Sequence, residues 1–160
     1  MKHRIRAAGI LIENDTVLLL RVKDASGEYW IPPGGGVEEG DISTKDCLRR
    51  ECLEETGLTV TVGELLAVRE FHETTSQRYH AEFFYHIMAH QGDPHLNNLQ
   101  GLNDEHYIQG LEWVPLHMLT TLRTYPTDIT ALIARTMQQY YSLHLGCYIQ
   151  GDADRINHLK

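Results

Sequence analysis

Glu51, Glu54 and Glu55 are the residues around which any chemistry in this chain is built. They lie in the stretch Gly34 to Leu58, GGGVEEGDISTKDCLRRECLEETGL, where a glycine-rich turn runs into an acidic loop and then into a helical pattern. Residues three and four apart share one face of a helix. Carboxylates gathered so closely repel one another, and ionising all of them becomes costly. A divalent cation removes that cost, and hard oxygen ligands favour Mg²⁺ or Mn²⁺. An acidic helix taken alone is more often a solvated face. What separates this one from that reading is the glycine loop before it and the terminal glycine after it.

The helix that must carry these glutamates begins near Ser43 or Thr44. Ser43 followed three residues later by Asp46 forms a capping-box pattern. Leu48 and Cys52 are four apart and point to the core, Arg50 can pair with Glu54 at the same spacing, and Gly57 sits where a C-cap glycine belongs. Before the loop, Arg4–Glu13 and Val17–Val22 read as two strands joined by the turn signal Asn14-Asp15, a possible hairpin. Tyr29-Trp30-Ile31 is a short aromatic strand stopped by Pro32-Pro33.

After the helix, Leu58–Phe71 reads as a strand bent at Gly63. Tyr79–Ala89 reads as its partner, with Ala81, Phe83, Tyr85 and Ile87 on one face. Gln91–Gly110 is a long polar loop, a length that usually signals function or mobility. Leu111–Val114 is a short strand, Pro115 opens a helical turn that ends near Leu122, and Thr127 to about Leu145 is a final helix. Its apolar stripe is Ile129, Leu132, Ile133, Thr136 and Met137. Residues 1–145 thus form one domain. Residues 146–160 form a polar tail expected to be weakly ordered, in which Cys147-Tyr148-Ile149 can add an edge strand.

Composition narrows the function classes. A chain of 160 residues suffices for one domain with a core. Its net charge of −8 argues against duplex nucleic acid as the main partner. An acidic protein that handles phosphates must bring cations to them, which agrees with a metal site. No apolar run approaches the roughly 18 to 20 residues of a membrane span, and the N-terminal apolar run is too short for a signal peptide, so the expected location is the cytoplasm. Cys47, Cys52 and Cys147 form no disulfide framework. Zinc is disfavoured, because no cysteine or histidine pair has a second pair at matching spacing. His80, His86 and His90 lie in or beside one strand, and no role is assigned to them.

These residues carry a resemblance. The run Arg50-Glu51-Cys52-Leu53-Glu54-Glu55-Thr56-Gly57-Leu58 resembles the second half of the Nudix hydrolase signature, in which R-E-U-x-E-E-x-G-U follows a glycine and a more N-terminal glutamate, U being a bulky apolar residue. The first half departs from it: counting from Gly36 puts Ile42 at that glutamate position, and counting from Gly35 puts Asp41 there with one extra residue before Arg50. A loop absorbs one residue more cheaply than a helix, so Asp41 is the preferred occupant. Tyr29 to Gly35 and Glu112 to Leu119 resemble the family's flanking strand-and-turn segments, and the likeness spans roughly Ile5 to Leu145.

The resemblance implies an α+β fold, an α/β/α sandwich with a mixed sheet, and a Mg²⁺-dependent hydrolase (Mn²⁺ possible) acting on a nucleoside tri- or diphosphate derivative. It implies Glu51, Glu54 and Glu55 as metal ligands with the Gly35 carbonyl, Glu51 and Glu54 among the catalytic residues, and Arg50 as the residue that orients a glutamate. The general base varies in the family, and Glu105, on the long loop, is the choice here. For substrate, Trp30, with Tyr29 and Phe71, can stack on a base, although aromatics near a turn more often belong to the core. Tyr125-Pro126-Thr127-Asp128 resembles a segment that reads a purine edge in the triphosphate-cleaning branch, and Asp128 equally suits a helix cap. A homodimer is compatible with such families. Two alternatives stand beside this reading: a nucleotide- or metabolite-sensing module of the same fold without turnover, and a prenyl diphosphate isomerase. The isomerase would need a catalytic cysteine and glutamate outside the helix, and no such pair is found.

Overall fold

The structure, a computed structural model, describes residues 1–149 and 155–157. In chain order the strands are β1 (Lys2–Ile10), β2 (Ile12–Glu13), β3 (Thr16–Asp24), β4 (Gly27–Ile31) and β5 (Gly34–Gly36), followed by helix α1 (Thr44–Thr56). Then come β6 (Thr59–Glu73), β7 (Arg78–Gln91), β8 (Ile108–Pro115), helix α2 (Ile129–Met137), β9 (Cys147–Ile149) and β10 (Arg155–Asn157). Short 3₁₀ helices cover Asn97–Leu99 and Leu116–Thr121.

The main sheet runs β5-β1-β7-β6, with β1 parallel to β7 and the other pairs antiparallel. This is the expected mixed sheet. A second sheet places β3 between β4 and β8, and β2 pairs β3 at its other end. Beyond the turn at Asn14-Asp15, the expected hairpin is only two residue pairs long, Ile12 with Val17 and Glu13 with Thr16. The chain changes sheets at Leu11. Ala7, Ala8, Gly9 and Ile10 are buried, and such a run suits a strand covered on both faces rather than one arm of a hairpin.

Helix α1 covers one face of the main sheet. Ser43 caps it, its hydroxyl oxygen accepting from the Asp46 N–H at 3.2 Å, an interaction worth about 1 kcal/mol. Gly57 ends it at φ 72°, its N–H returning to the Leu53 carbonyl at 3.1 Å. Cys47, Leu48 and Cys52 pack against Ala7, Leu11, Val60, Val62, Tyr85 and Ile87. On the opposite face Ile129, Leu132 and Ile133 of α2 pack with Ala8, Ile10, Leu66 and Phe84. Each such side chain contributes roughly 1.5–3 kcal/mol when fully buried, so the two layers fix the sheet, and with it the direction in which α1 presents its outer face.

Two expectations require correction. The last helix ends at Met137, not near Leu145. Gln139 turns the chain with φ 53°, and the Ser142 N–H then donates to the Leu65 carbonyl on the β6 edge at 2.7 Å. A free strand edge competes for those backbone groups, and helical periodicity does not register that competition. The long loop is also shorter and better anchored than read. Ile108 to Gly110 belong to β8, and Leu99 is buried within a cluster formed by Leu20, Val22 and Ile108. Strand β9 forms as expected, but pairs with β10 rather than with the main sheet. The expectation of weak order for 150–154 and 158–160 lies outside the described residues.

Candidate active site

Strand β5 and helix α1 meet at a buried cluster of acids. Ligand-capable oxygens of Glu51, Glu55 and Asp104 lie within 4.8 Å of one another, and Glu51 and Glu55 are only 5% and 3% exposed. The Gly34 N–H donates to Glu55 Oε1 at 2.8 Å. A Cβ at residue 35 would run into the Glu51 carboxylate, so the loop must be glycine there for the helix to approach. Burial pushes the Glu51 and Glu55 carboxyls up, Glu55 well above the ordinary range. Neighbouring charge adds to the effect, Glu54 and Asp104 on Glu51 and Glu51 and Asp104 on Glu55. An all-oxygen set of this kind, crowded and desolvated, suits a hard divalent cation. The expected ligand Glu54 lines the same cavity of about 490 Å³, as do Gly35, Glu38, Arg4 and Arg6. The Gly35 carbonyl accepts from the Cys47 thiol at 3.5 Å.

Arg50 ties loop and helix together. Its Nη1 donates to Glu51 Oε1 at 2.9 Å, its Nη2 to the Gly36 carbonyl at 2.9 Å, and both Nε and Nη2 to the Asp41 carboxylate. Hydrogen bonding to Asp41 and Glu51 raises the Arg50 pKa against the cost of burial, and the same guanidinium holds Asp41 below the usual carboxylate range. Ile42 is 51% exposed. Of the two residues considered, Asp41 is the one bonded to Arg50. The loop closes on itself through Glu38 N–H to Asp41 Oδ2 at 2.9 Å and Asp41 N–H to the Glu38 carbonyl at 3.1 Å.

A second cavity, about 410 Å³, adjoins the first. Tyr29, Phe71, Tyr107 and Tyr125 line it together with Arg123, whose guanidinium lies over the rings of Tyr29 and Tyr125 at 4.8 and 5.5 Å. Arg6, Ile31 and Tyr107 line both cavities. The Tyr107 and Tyr29 hydroxyls are 2.6 Å apart, and Tyr29 donates to Asp24 Oδ2 at 2.8 Å.

Some sequence-selected residues lie elsewhere. Glu105 is not in the wall of the acidic cavity; its carboxylate accepts from the Gly101 N–H at 3.1 Å, and its neighbour Asp104 reaches the cluster instead. Trp30 packs into the core layer beneath α2 and lines neither cavity, whereas Tyr29 and Ile31 do. Strand alternation puts 29 and 31 on one face and 30 on the other, a signal present in the sequence once the strand is granted. Asp128 sits at the N-cap of α2 without a side-chain capping bond, its carboxylate held by Arg69 at 2.5 Å, outside the aromatic cavity. Phe71 lines that cavity while stacked on His80 at 4.1 Å. His86 contacts the Tyr141 hydroxyl and His90 the Glu13 carboxylate. Asp104, Tyr107 and Arg123 were missed, because only the path of two loops brings them here, and of the segment Tyr125 to Asp128 it is Tyr125, not Asp128, that lines the cavity.

Residues 3–135 match the NUDIX domain family model. The chain is 31% identical over 147 residues to the uncharacterized 17.7 kDa protein of the e-segB intergenic region of Enterobacteria phage T4, covering 88% of this chain and 89% of that one. Among solved structures it resembles the E. coli ORF135 protein, with TM-score 0.67 and 25% identity over 88% of this chain and 93% of that one. It also resembles the MutT NUDIX hydrolase from Burkholderia pseudomallei, with TM-score 0.68 and 23% identity over 83% and 98%. With the glutamate helix, the glycine loop and the mixed sheet in these positions, the chain belongs to the NUDIX domain family.

Proposed function

We propose that this chain is a divalent-metal-dependent hydrolase that cleaves the diphosphate linkage of a nucleoside tri- or diphosphate derivative. One observation carries the proposal: a cavity lined by carboxylates and a cavity lined by aromatic rings share a wall at Arg6, Ile31 and Tyr107. A nucleotide has the same two-part chemistry, a charged phosphate chain that needs cations and a flat base that stacks.

Glu51, Glu55 and Asp104, with the Gly35 carbonyl, would hold Mg²⁺ or Mn²⁺. Such an ion would supply neutralising charge at the phosphates and would ease removal of a proton from water. Glu54 faces the same cavity and is partly exposed. Its carboxylate is the acceptor for the proton of the attacking water, taking the place first considered for Glu105. Arg50 keeps the Glu51 carboxylate oriented. Tyr29, Phe71 and Tyr125 form the walls against which the base stacks, a role offered from sequence to Tyr29 and Phe71 together with Trp30. Water attacks one phosphorus, the bridging P–O bond breaks, and the products are a nucleoside monophosphate with pyrophosphate, or with a phosphorylated moiety.

The test is Mg²⁺-dependent turnover of a panel of nucleoside triphosphates and capped nucleoside diphosphates, scored by release of phosphate products. Glu54→Gln should lower turnover by about 10²–10⁴-fold. If no member turns over while one still binds tightly, the sensing module replaces the hydrolase.

A further inference from the structure

Two arginines of β1, Arg4 and Arg6, line the acidic cavity. Being two apart on a strand, they project from the same face. Their circumstances differ. Arg6 also lines the aromatic cavity, and Glu82 neutralises it through an ion pair of 2.6 Å. Arg4 lines only the acidic cavity and has no hydrogen bond or ion pair among the described residues. It lies within electrostatic reach of Arg6 and Arg78 as well as of Glu51 and Asp104, and its pKa is lowered by partial burial and by those two arginines.

The Arg4 guanidinium is not simply waving in solvent. A Cβ on Gly36 would lie 2.6 Å from its Nε and 2.9 Å from Nη2. The planar group thus rests against the glycine loop that bears the cluster. β5 pairs with Arg6, Ala7 and Ala8, the Val37 N–H then donates to the Ile5 carbonyl at 2.9 Å, and the exposed Arg4 follows in the wall of the cavity. An exposed guanidinium with no hydrogen bond or ion pair among the described residues, standing in the wall of this cavity, has the form of an anion subsite: Arg presents paired donors that match phosphate oxygens.

We propose that Arg4 binds the terminal phosphate of the substrate and so selects a nucleoside triphosphate over a capped diphosphate. The inference rests on the hydrolase reading above for the direction in which the substrate lies. With the base against Tyr29 and Tyr125, the phosphate chain passes Arg6 at the junction of the cavities. It then continues about 7 Å along β1, two residues of strand rise, to reach Arg4. A terminal phosphate carries more charge than an esterified one and offers three free oxygens to the fork. A capped diphosphate ends at that point in a neutral or bulky group that cannot satisfy it.

The experiment measures binding of inorganic tripolyphosphate and of orthophosphate by calorimetry in Mg²⁺, for the wild type, Arg4→Gln and Arg4→Lys. Alongside, kcat/KM is compared for nucleoside triphosphates and a nucleoside diphosphate sugar. Arg4→Gln should weaken tripolyphosphate binding about 10- to 100-fold and reduce kcat/KM on triphosphates by the same factor, leaving the capped substrate unchanged. Arg4→Lys should recover part of the binding, which also shows that the fold is intact. Tripolyphosphate binding unchanged in Arg4→Gln overturns the proposal, as does an equal loss on triphosphate and capped substrates. A wild type that turns over no nucleotide, yet loses tripolyphosphate on Arg4→Gln, overturns the hydrolase reading and supports the subsite.

Discussion

Arg50 grips Asp41 with two hydrogen bonds, Nε to Oδ1 at 3.0 Å and Nη2 to Oδ2 at 2.7 Å. This fork–fork pair locks the acidic loop onto the glutamate helix. The side chains of Asp41 and Glu51, both bonded to Arg50, are 6% and 7% exposed. Removing the arginine therefore strands two buried carboxylates. Arg50→Ala should cost about 3 kcal/mol of stability, read from the shift in urea midpoint at unchanged m-value. Asp41→Asn, which keeps one acceptor, should cost less.

Asp104 and Glu105 are neighbours with different surroundings, and substitution separates them. Asp104→Asn should abolish most Mg²⁺-dependent turnover, because its carboxylate stands with Glu51 and Glu55. Glu105→Gln should change turnover less than about threefold, since it only accepts from the Gly101 N–H at 3.1 Å. Tyr107 bears on the same loop: the Tyr107 and Ile108 N–H groups both donate to the Asp104 carbonyl, at 3.1 and 3.0 Å. Steady-state kinetics on the two variants decide the assignment, and equal losses would refute it.

Divalent metal should stabilise the protein by binding the folded state alone. At about 100 times the dissociation constant the gain is roughly 2.7 kcal/mol, or about 5–10 °C in Tm for a chain of this size. Thermal unfolding with Mg²⁺ or Mn²⁺ against chelator measures it. Glu51→Gln and Glu55→Gln should each erase most of the metal-dependent shift. In the absence of metal, Glu55→Gln should unfold at a temperature no lower than the wild type, because it removes a buried, repelled carboxyl.

The histidines predict a pH effect away from the cluster. Burial lowers the pKa of His86, which contacts the Tyr141 hydroxyl at 3.1 Å, and of His144, where Lys45 adds to the effect. A base whose folded pKa is depressed binds its proton more readily when unfolded. Stability is then complete above the unfolded value of 6.5 and falls as pH drops from there towards the folded pKa. Each histidine adds at most about 1.4 kcal/mol per pH unit to that slope. The raised Glu51 and Glu55 carboxyls act in the opposite direction on acidification, so the test is a difference between variants: from pH 7.5 to 5 the urea midpoint of His86→Gln should rise relative to that of the wild type. A difference between the two that does not change with pH would exclude this account.

What sequence alone determined is what depends on neighbours along the chain. The capping of α1 by Ser43 and Gly57, the placement of Glu51, Glu54 and Glu55 on adjoining positions, and the strands β6 and β7 all follow from spacing and local conformational preference. Local pattern also narrowed the loop to Asp41 or Ile42. Tertiary structure settled the rest, because those features depend on groups distant in sequence. Asp104 rather than Glu105 reaches the cluster because Leu99 and Ile108 anchor the loop in the core. Tyr29 rather than Trp30 meets the cavity because β4 lies beside β3 in a set register. The last helix stops at Met137 because the edge of β6 takes up the Ser142 N–H. Arg4 comes to line the acidic cavity because the pairing of β1 with β5 brings the glycine loop alongside it.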